Sequence, residues 1–176
     1  NAAAANTDTI IYNIMMAFYT ACSTFMGQNW GAGHKKRMMD SYLISLFYAF
    51  AVAAVLGVAF YFAGRPFLYV FTNSADVVEA GMQRMKIMCF SYAISAFMDN
   101  TIAACRGLGR TIVPTVVVIM GSCVFRVIWV YTIFAHYHTI PSLYLLYAFS
   151  WTITAAAEIV YFLHCFRKLR LVPETA

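Results

Sequence analysis

Long runs of apolar residues, separated by short polar connectors, dominate the pattern along the chain. The clearest run covers 41–64 and holds no charged residue, and further runs cover 6–26, 80–105, 111–135 and 141–166. Crossing a hydrocarbon core of about 30 Å takes about 20 helical residues, so each run is long enough to span a bilayer. None of the runs alternates between polar and apolar positions as a barrel strand does. The pattern therefore predicts an all-α integral membrane protein with five transmembrane helices.

The connectors contain residues that end helices. Gly31 and Gly33 follow the first run, and Gly107 and Gly109 follow the third. Both pairs fit the left-handed position at which a helix commonly stops. Pro66 is expected to end the second helix, because proline lacks the N–H that a continuing helix needs.

Lysine and arginine lie mainly in the connectors of one side. The connectors 34–40 and 106–110 and the tail from Arg167 hold eight of them, whereas 65–86 and 136–140 together hold three. Cytoplasmic connectors carry the excess of positive charge in membrane proteins. We therefore expect a multi-pass protein of the cell (plasma) membrane whose C-terminus is cytoplasmic.

The composition excludes a soluble enzyme and a disordered chain. Hydrophobic residues make up 62% of the 176 residues and charged residues only 11%, against about 25% charged in a typical soluble domain. The net charge of +5 is spread over short clusters and forms no continuous basic patch. We therefore expect the lipid bilayer as a partner, and no nucleic acid. No catalytic grouping of residues and no cofactor motif is recognisable.

Three ionisable residues lie well inside the apolar runs: Asp99, Arg126 and Glu158. At a rise of 1.5 Å per residue, Asp99 lies roughly 10 Å and Glu158 roughly 13 Å from the cytoplasmic ends of their helices. Two carboxylates at one depth suit a proton or a sodium ion, so both are candidates for cation coupling. The alternative is that these acids only hydrogen-bond neighbouring helices and that Arg126 has a structural role or extends to the interface. Asp8 is expected at a solvated helix end.

Two motifs carry a resemblance to a known family. The string from Ser23 to Arg37, STFMGQNWGAGHKKR, closely resembles the GQNxGAG-plus-base signature of the multidrug and toxic compound extrusion (MATE) transporters. The string from Ala104 to Pro114, ACRGLGRTIVP, is similar to the RGxG…P junction between the fourth and fifth helices of a lobe in that family. The motif residues are Gly27, Gln28, Asn29, Gly31, Gly33, Arg106, Gly107, Gly109 and Pro114. Gly27 and Gly31 also form a GxxxG step, which favours close helix packing in membranes.

The resemblance implies an architecture and an activity. Residues 1–170 would form most of one six-helix lobe, the C-terminal one, followed by a cytoplasmic tail at 171–176. Family members export organic cations and other drugs in exchange for sodium ions or protons. They do so with two lobes, so the remainder of the transporter is an expected partner and this chain alone is not expected to transport. In the family, the acidic residue of the cation site on this helix lies about one turn before the position of Asp99, near Ser95. The resemblance therefore makes Ser95 a further candidate for cation coupling, and sodium at Asp99 is the one metal ion that it suggests.

Two alternative functions remain open at this point. A lipid-linked oligosaccharide flippase of the same superfamily would share the lobe architecture, although the GQNWGAG string favours the drug transporter. A non-transporting membrane scaffold would use the same polar residues only to hold helices together.

Overall fold

Five long helices form the computed structural model, which describes residues 2–137 and 140–169. They are α1 (Ala2–Gly31), α2 (Lys35–Tyr69), α3 (Ala75–Gly107), α4 (residues 112–137) and α5 (Ile140–Lys168). Within these residues no strand occurs, and all five helices are long and apolar enough to cross a membrane. The expected fold class is therefore confirmed. His138 and the expected tail at 171–176 lie outside the described residues.

The second helix does not end at Pro66. It continues for almost one further turn, to Tyr69, and a loop then leads to the start of α3. Proline removes one backbone hydrogen bond, and transmembrane helices tolerate this where neighbouring groups compensate. The expectation that Pro66 ends the helix was wrong because the residues before it, Gly64 among them, are held in the helix by packing against α3.

The core of the molecule is built around α3. This helix contacts α1, α2 and α5, and its buried residues extend from Val78 to Cys105. By contrast, Pro114 is the one buried side chain among those described in α4, which contacts α5. The helices α1, α2, α3 and α5 therefore form a packed group, with α4 attached to it through α5.

The fourth helix is widened at two places. Its α-helical segments are interrupted by π-helical turns at Ile119–Val124 and Val130–Phe134. In the first of these turns the carbonyl of Gly121 accepts a hydrogen bond of 2.8 Å from the hydroxyl of Ser150 in α5. The carbonyl oxygens of a π turn are spaced differently from those of an α turn. One of them can therefore accept a hydrogen bond from a side chain on a neighbouring helix.

The two glycine motifs pack directly against each other where α1 crosses α3. A Cβ atom on Gly107 would lie 2.5 Å from the carbonyl oxygen of Ser23 and 2.7 Å from Cβ of Met26. A Cβ atom on Gly27 would lie 3.3 Å from the carbonyl oxygen of Gly107, whereas one on Gly31 would meet nothing within 4 Å. The expected GxxxG contact is therefore only half right: Gly27 packs closely, and Gly31 does not.

The connectors after these motifs turn through left-handed residues. Gly33 has φ = 73° and Gly109 has φ = 66°, and these are the glycines with positive φ in the described part of the chain. A side chain other than glycine is strained at such angles. Of each predicted pair, the second glycine therefore makes the turn and the first ends the helix.

Candidate functional site: two cavities that share an aspartate

Asp99 lies on α3 where two cavities meet, and it lines both. The first cavity, of about 500 Å³, lies between α1, α3 and α4 and extends along α3 to Arg106. The second, of about 420 Å³, lies between α1, α3 and α5. Tyr12 also lines both cavities, so the phenol and the carboxylate stand at their junction.

The carboxylate of Asp99 has neither a hydrogen bond nor an ion pair with any residue that the structure describes. It lies seven residues before Arg106, so the two groups are roughly 10 Å apart along the helix axis. A carboxylate that faces a cavity without a partner is available to a proton or a cation. The sequence prediction of Asp99 as a coupling residue therefore has a suitable geometry, and its role stays a prediction.

The lining of the second cavity suits an organic cation. Two carboxylates, those of Asp8 and Asp99, share it with aromatic rings and methionine side chains. The rings are Tyr12, Tyr92, Tyr147 and Trp151, and the methionines are Met15, Met88 and Met98. Aromatic faces attract cations through the ring quadrupole, and methionine adapts to irregular apolar shapes.

Asp8 does not lie at a solvated helix end, contrary to the expectation from the sequence. Its carboxylate accepts hydrogen bonds from the guanidinium of Arg84 and the hydroxyl of Tyr92, both on α3, and its side chain is only 27% exposed. Arg84, which was counted with the outer connector, lies inside α3 with its guanidinium 5.9 Å from the centre of the Tyr144 ring. The prediction failed because the partner is 76 residues away in sequence.

We expect the Asp8–Arg84 pair to show a large energetic coupling. Asp8→Asn and Arg84→Met should each lower the stability of the complete transporter by about 1–3 kcal/mol, because each leaves a half-buried charge without its partner. The double variant should lose clearly less than the sum of the two. Additive losses in thermal unfolding of the purified variants would show that the pair is a surface contact. The exposed pair Arg65–Glu79 provides the matched control, with little coupling expected.

Ser95 lies in the second cavity one turn before Asp99. Its side chain is buried, and its hydroxyl donates a hydrogen bond of 2.9 Å to the carbonyl of Tyr92. The structure therefore brings Ser95 and Asp99 to the same cavity, as their spacing of four residues on one helix face allows. Whether either residue binds a cation stays a prediction.

Glu158 lies apart from Asp99. It is 0% exposed and lines neither of the two cavities. The expectation of two carboxylates in one site rested on their similar depth. Depth alone does not decide which way a side chain faces around its helix, and here the two acids lie in different environments.

Arg126 is held inside the molecule by α5. Its Nε donates a hydrogen bond of 3.3 Å to the hydroxyl of Ser150, and its guanidinium lies 4.4 Å from the centre of the Tyr147 ring and 5.9 Å from that of Trp151. These contacts agree with the structural role that the sequence suggested as an alternative. Because Tyr147 and Trp151 also line the second cavity, Arg126 supports the aromatic side of that cavity.

The remaining motif residues lie near the basic end of the bundle. Asn29 donates hydrogen bonds to the carbonyl of Phe25 at 2.7 Å and to the hydroxyl of Ser41 at 3.4 Å, which ties α1 to α2. Gln28 has an exposed side chain, and Pro114 is buried in the first turn of α4. These contacts give the GQN and RGxG motifs a packing role at this end.

Comparison with known proteins places these features in a family. The sequence profile of the MatE family matches residues 2–132, which is well over half of the chain. Protein DETOXIFICATION 8 of Arabidopsis thaliana is 26% identical over 98 residues, which cover 56% of this chain and 20% of that protein. The chain thus spans about a fifth of this curated relative.

Solved structures agree with the profile. A multidrug resistance MATE family transporter of the MOP superfamily, in an inward-facing conformation, has a TM-score of 0.74 at 17% identity, over 97% of this chain and 41% of that one. The MATE transporter ClbM in complex with Rb⁺ has a TM-score of 0.68 at 25% identity, over 98% of this chain and 39% of that one. With its match to the profile over most of its length, the chain belongs to the MatE family of membrane transporters.

Proposed function

We propose that the complete transporter, of which this chain forms one part, exports organic cations in exchange for sodium ions or protons. The single observation that carries the proposal is the second cavity, where an unpartnered carboxylate, Asp99, faces aromatic rings and methionines. This combination attracts a large, weakly hydrated cation more than a neutral or anionic molecule. The same carboxylate would bind the coupling ion, so that drug and ion compete.

The geometry supports exchange through one charge. Asp8 already has Arg84 as its counter-ion, so the cavity has one carboxylate free. A single free negative charge is satisfied by one proton, one sodium ion or one organic cation at a time. The described residues hold no cluster of three or more His, Cys, Asp or Glu residues that could bind a metal ion. A sodium ion at Asp99 would therefore take its other ligands from neutral oxygens, such as the hydroxyls of Tyr12 and Ser95.

The two alternatives fit this cavity less well. A lipid-linked oligosaccharide carries phosphate groups, which would face a free carboxylate at Asp99 and an arginine, Arg84, already paired with Asp8. A scaffold would use its polar side chains for contacts between helices, whereas Asp99 makes no such hydrogen bond with the described residues. Drug export by ion exchange is therefore the function that the site supports best.

The arrangement of the whole protein is part of the proposal. The chain covers about 40% of the two solved relatives, so transport belongs to the complete protein with its second lobe. We propose that this chain is most of the C-terminal lobe, that the protein resides in the plasma membrane, and that the ends of α1, α3 and α5 at the basic connectors face the cytoplasm. The excess of positive charge at that side supports this orientation.

Binding of an organic cation tests the proposal. The complete transporter should bind tetraphenylphosphonium, and Trp151→Leu should weaken that binding roughly 5- to 30-fold, because a desolvated cation–π contact contributes about 1–2 kcal/mol. Trp129→Leu is the matched control, since Trp129 lies on α4 and lines neither cavity. Equal affinities of the wild type and Trp151→Leu in equilibrium dialysis would contradict the placement of the drug in this cavity.

A further inference from the structure

Glu158 is a buried carboxyl group that the proposed exchange at Asp99 does not involve. Its side chain is 0% exposed, and neither Oε1 nor Oε2 has a hydrogen-bond partner within residues 2–137 and 140–169. The described residues shield it from solvent. Further parts of the transporter therefore do not reach this carboxyl group unless the helices move.

The surroundings of Glu158 supply no counter-ion in contact with it. On α3, Cys105 and Arg106 are near enough to interact with it electrostatically, but the side chain of Arg106 is exposed and lines the first cavity with Asp99. On α4, the segment Ile112–Val118 carries no titratable side chain.

Aromatic and weakly polar residues follow Glu158 along α5. Phe162 follows one turn later on α5, and its ring centre lies 4.5 Å from that of Tyr42 on α2, whose hydroxyl is hydrogen-bonded to Thr101 at 2.9 Å. Within α5 itself, Tyr161, His164 and Cys165 are the titratable groups on the following two turns. Among the described residues, Arg106 is the cation whose charge acts on Glu158.

The charge state of Glu158 follows from this environment. An ionised carboxylate without partners costs several kcal/mol in a buried site, whereas the protonated acid is a neutral polar group with a smaller penalty. In membrane helices such a residue is a candidate for proton transfer. Enclosure by α3 and α5 therefore favours the protonated form of Glu158 over the ionised form.

From these observations we propose that Glu158 is a second proton-binding site, separate from the Asp99 cavity, which is loaded while the helices enclose it and releases its proton when α3 and α5 move apart. The inference rests on the proposed function, because it assigns a step of the same exchange cycle. Opening of the α3–α5 contact would admit water to the carboxylate. Arg106, which lies near both acids, would then stabilise the ionised form of Glu158.

Infrared difference spectroscopy of the complete transporter in lipid tests this proposal directly. A step to higher pH, or addition of tetraphenylphosphonium, should remove the carbonyl-stretching band of a protonated carboxylic acid. Asp99→Asn should keep the part of that change that belongs to Glu158, and Glu158→Gln should remove this part. Glu79→Gln is the matched control, because it makes the same chemical change in an exposed side chain on α3 and should leave the band as in the wild type.

The outcomes separate this proposal from the proposed function. A band that is the same in the wild type and Glu158→Gln, or a Glu158 band that responds to neither pH nor tetraphenylphosphonium, would overturn the second proton site, even if the transporter moves organic cations. A pH-responsive Glu158 band in a protein that moves no organic cation would keep the proton site and refute the export function. If Glu158→Gln fails to fold, Glu158→Asp should shift the pH at which the band disappears, and an unshifted band would contradict the proposal.

Discussion

Gly107→Ala is expected to prevent the complete transporter from accumulating in a folded form. The added methyl group would lie 2.5 Å from the carbonyl oxygen of Ser23 and 2.7 Å from Cβ of Met26, and neither atom belongs to the flexible end of a side chain. The helices α1 and α3 must therefore separate where the two glycine motifs meet. We expect a loss of about 1–3 kcal/mol or more, as for other overpacked interiors. The measurement is the yield and the melting temperature of detergent-purified protein.

Gly31→Ala is the matched control for this prediction. It makes the same change in the other motif, at a helical position with no atom within 4 Å of the new Cβ. Alanine also has a higher helix propensity than glycine, so stability should be unchanged or slightly increased. A melting temperature of Gly107→Ala equal to that of Gly31→Ala would refute the direct contact between the motifs.

Asp99→Asn is expected to abolish most of the ion-coupled drug export without affecting membrane insertion. The amide keeps the shape of the side chain but removes the one free charge at the junction of the two cavities. Loss of the charge partner of a desolvated cation costs about 2–5 kcal/mol, so export should fall roughly 30-fold or more. The measurement is the drug resistance of cells that express the complete transporter, together with its abundance in the membrane fraction.

Asp76→Asn serves as the control for the charge change, since Asp76 is exposed in the first turn of α3. It should leave resistance at the wild-type level. Glu158→Gln should reduce export less than Asp99→Asn, because Glu158 is outside the cavity that holds the drug. Wild-type resistance in Asp99→Asn would refute Asp99 as the residue that couples export to the ion.

The sequence was sufficient to predict the features that depend on local composition. Five helices follow from the lengths of the apolar runs. The turns after α1 and α3 follow from glycine, since Gly33 and Gly109 adopt angles that other residues avoid.

Features that depend on how helices rotate and pack were not predictable from one sequence. Glu158 lies at a depth similar to that of Asp99 but faces a different environment, because each residue turns the side chain by about 100° around the helix. The partner of Asp8 is 76 residues away, and of the GxxxG pair only Gly27 packs closely, against Gly107 of α3. Such pairings depend on the crossing of helices, which hydropathy does not encode.

The central claim is that the Asp99 cavity exchanges an organic cation for a coupling ion, and gradient-driven flux tests it most directly. Proteoliposomes with the complete transporter should move tetraphenylphosphonium against its own gradient when an opposing sodium or proton gradient is imposed. Such transport should cease when the gradient is collapsed, and Asp99→Asn should reduce it roughly 30-fold or more. Accumulation that is independent of both gradients, or equal in the wild type and Asp99→Asn, would contradict the account.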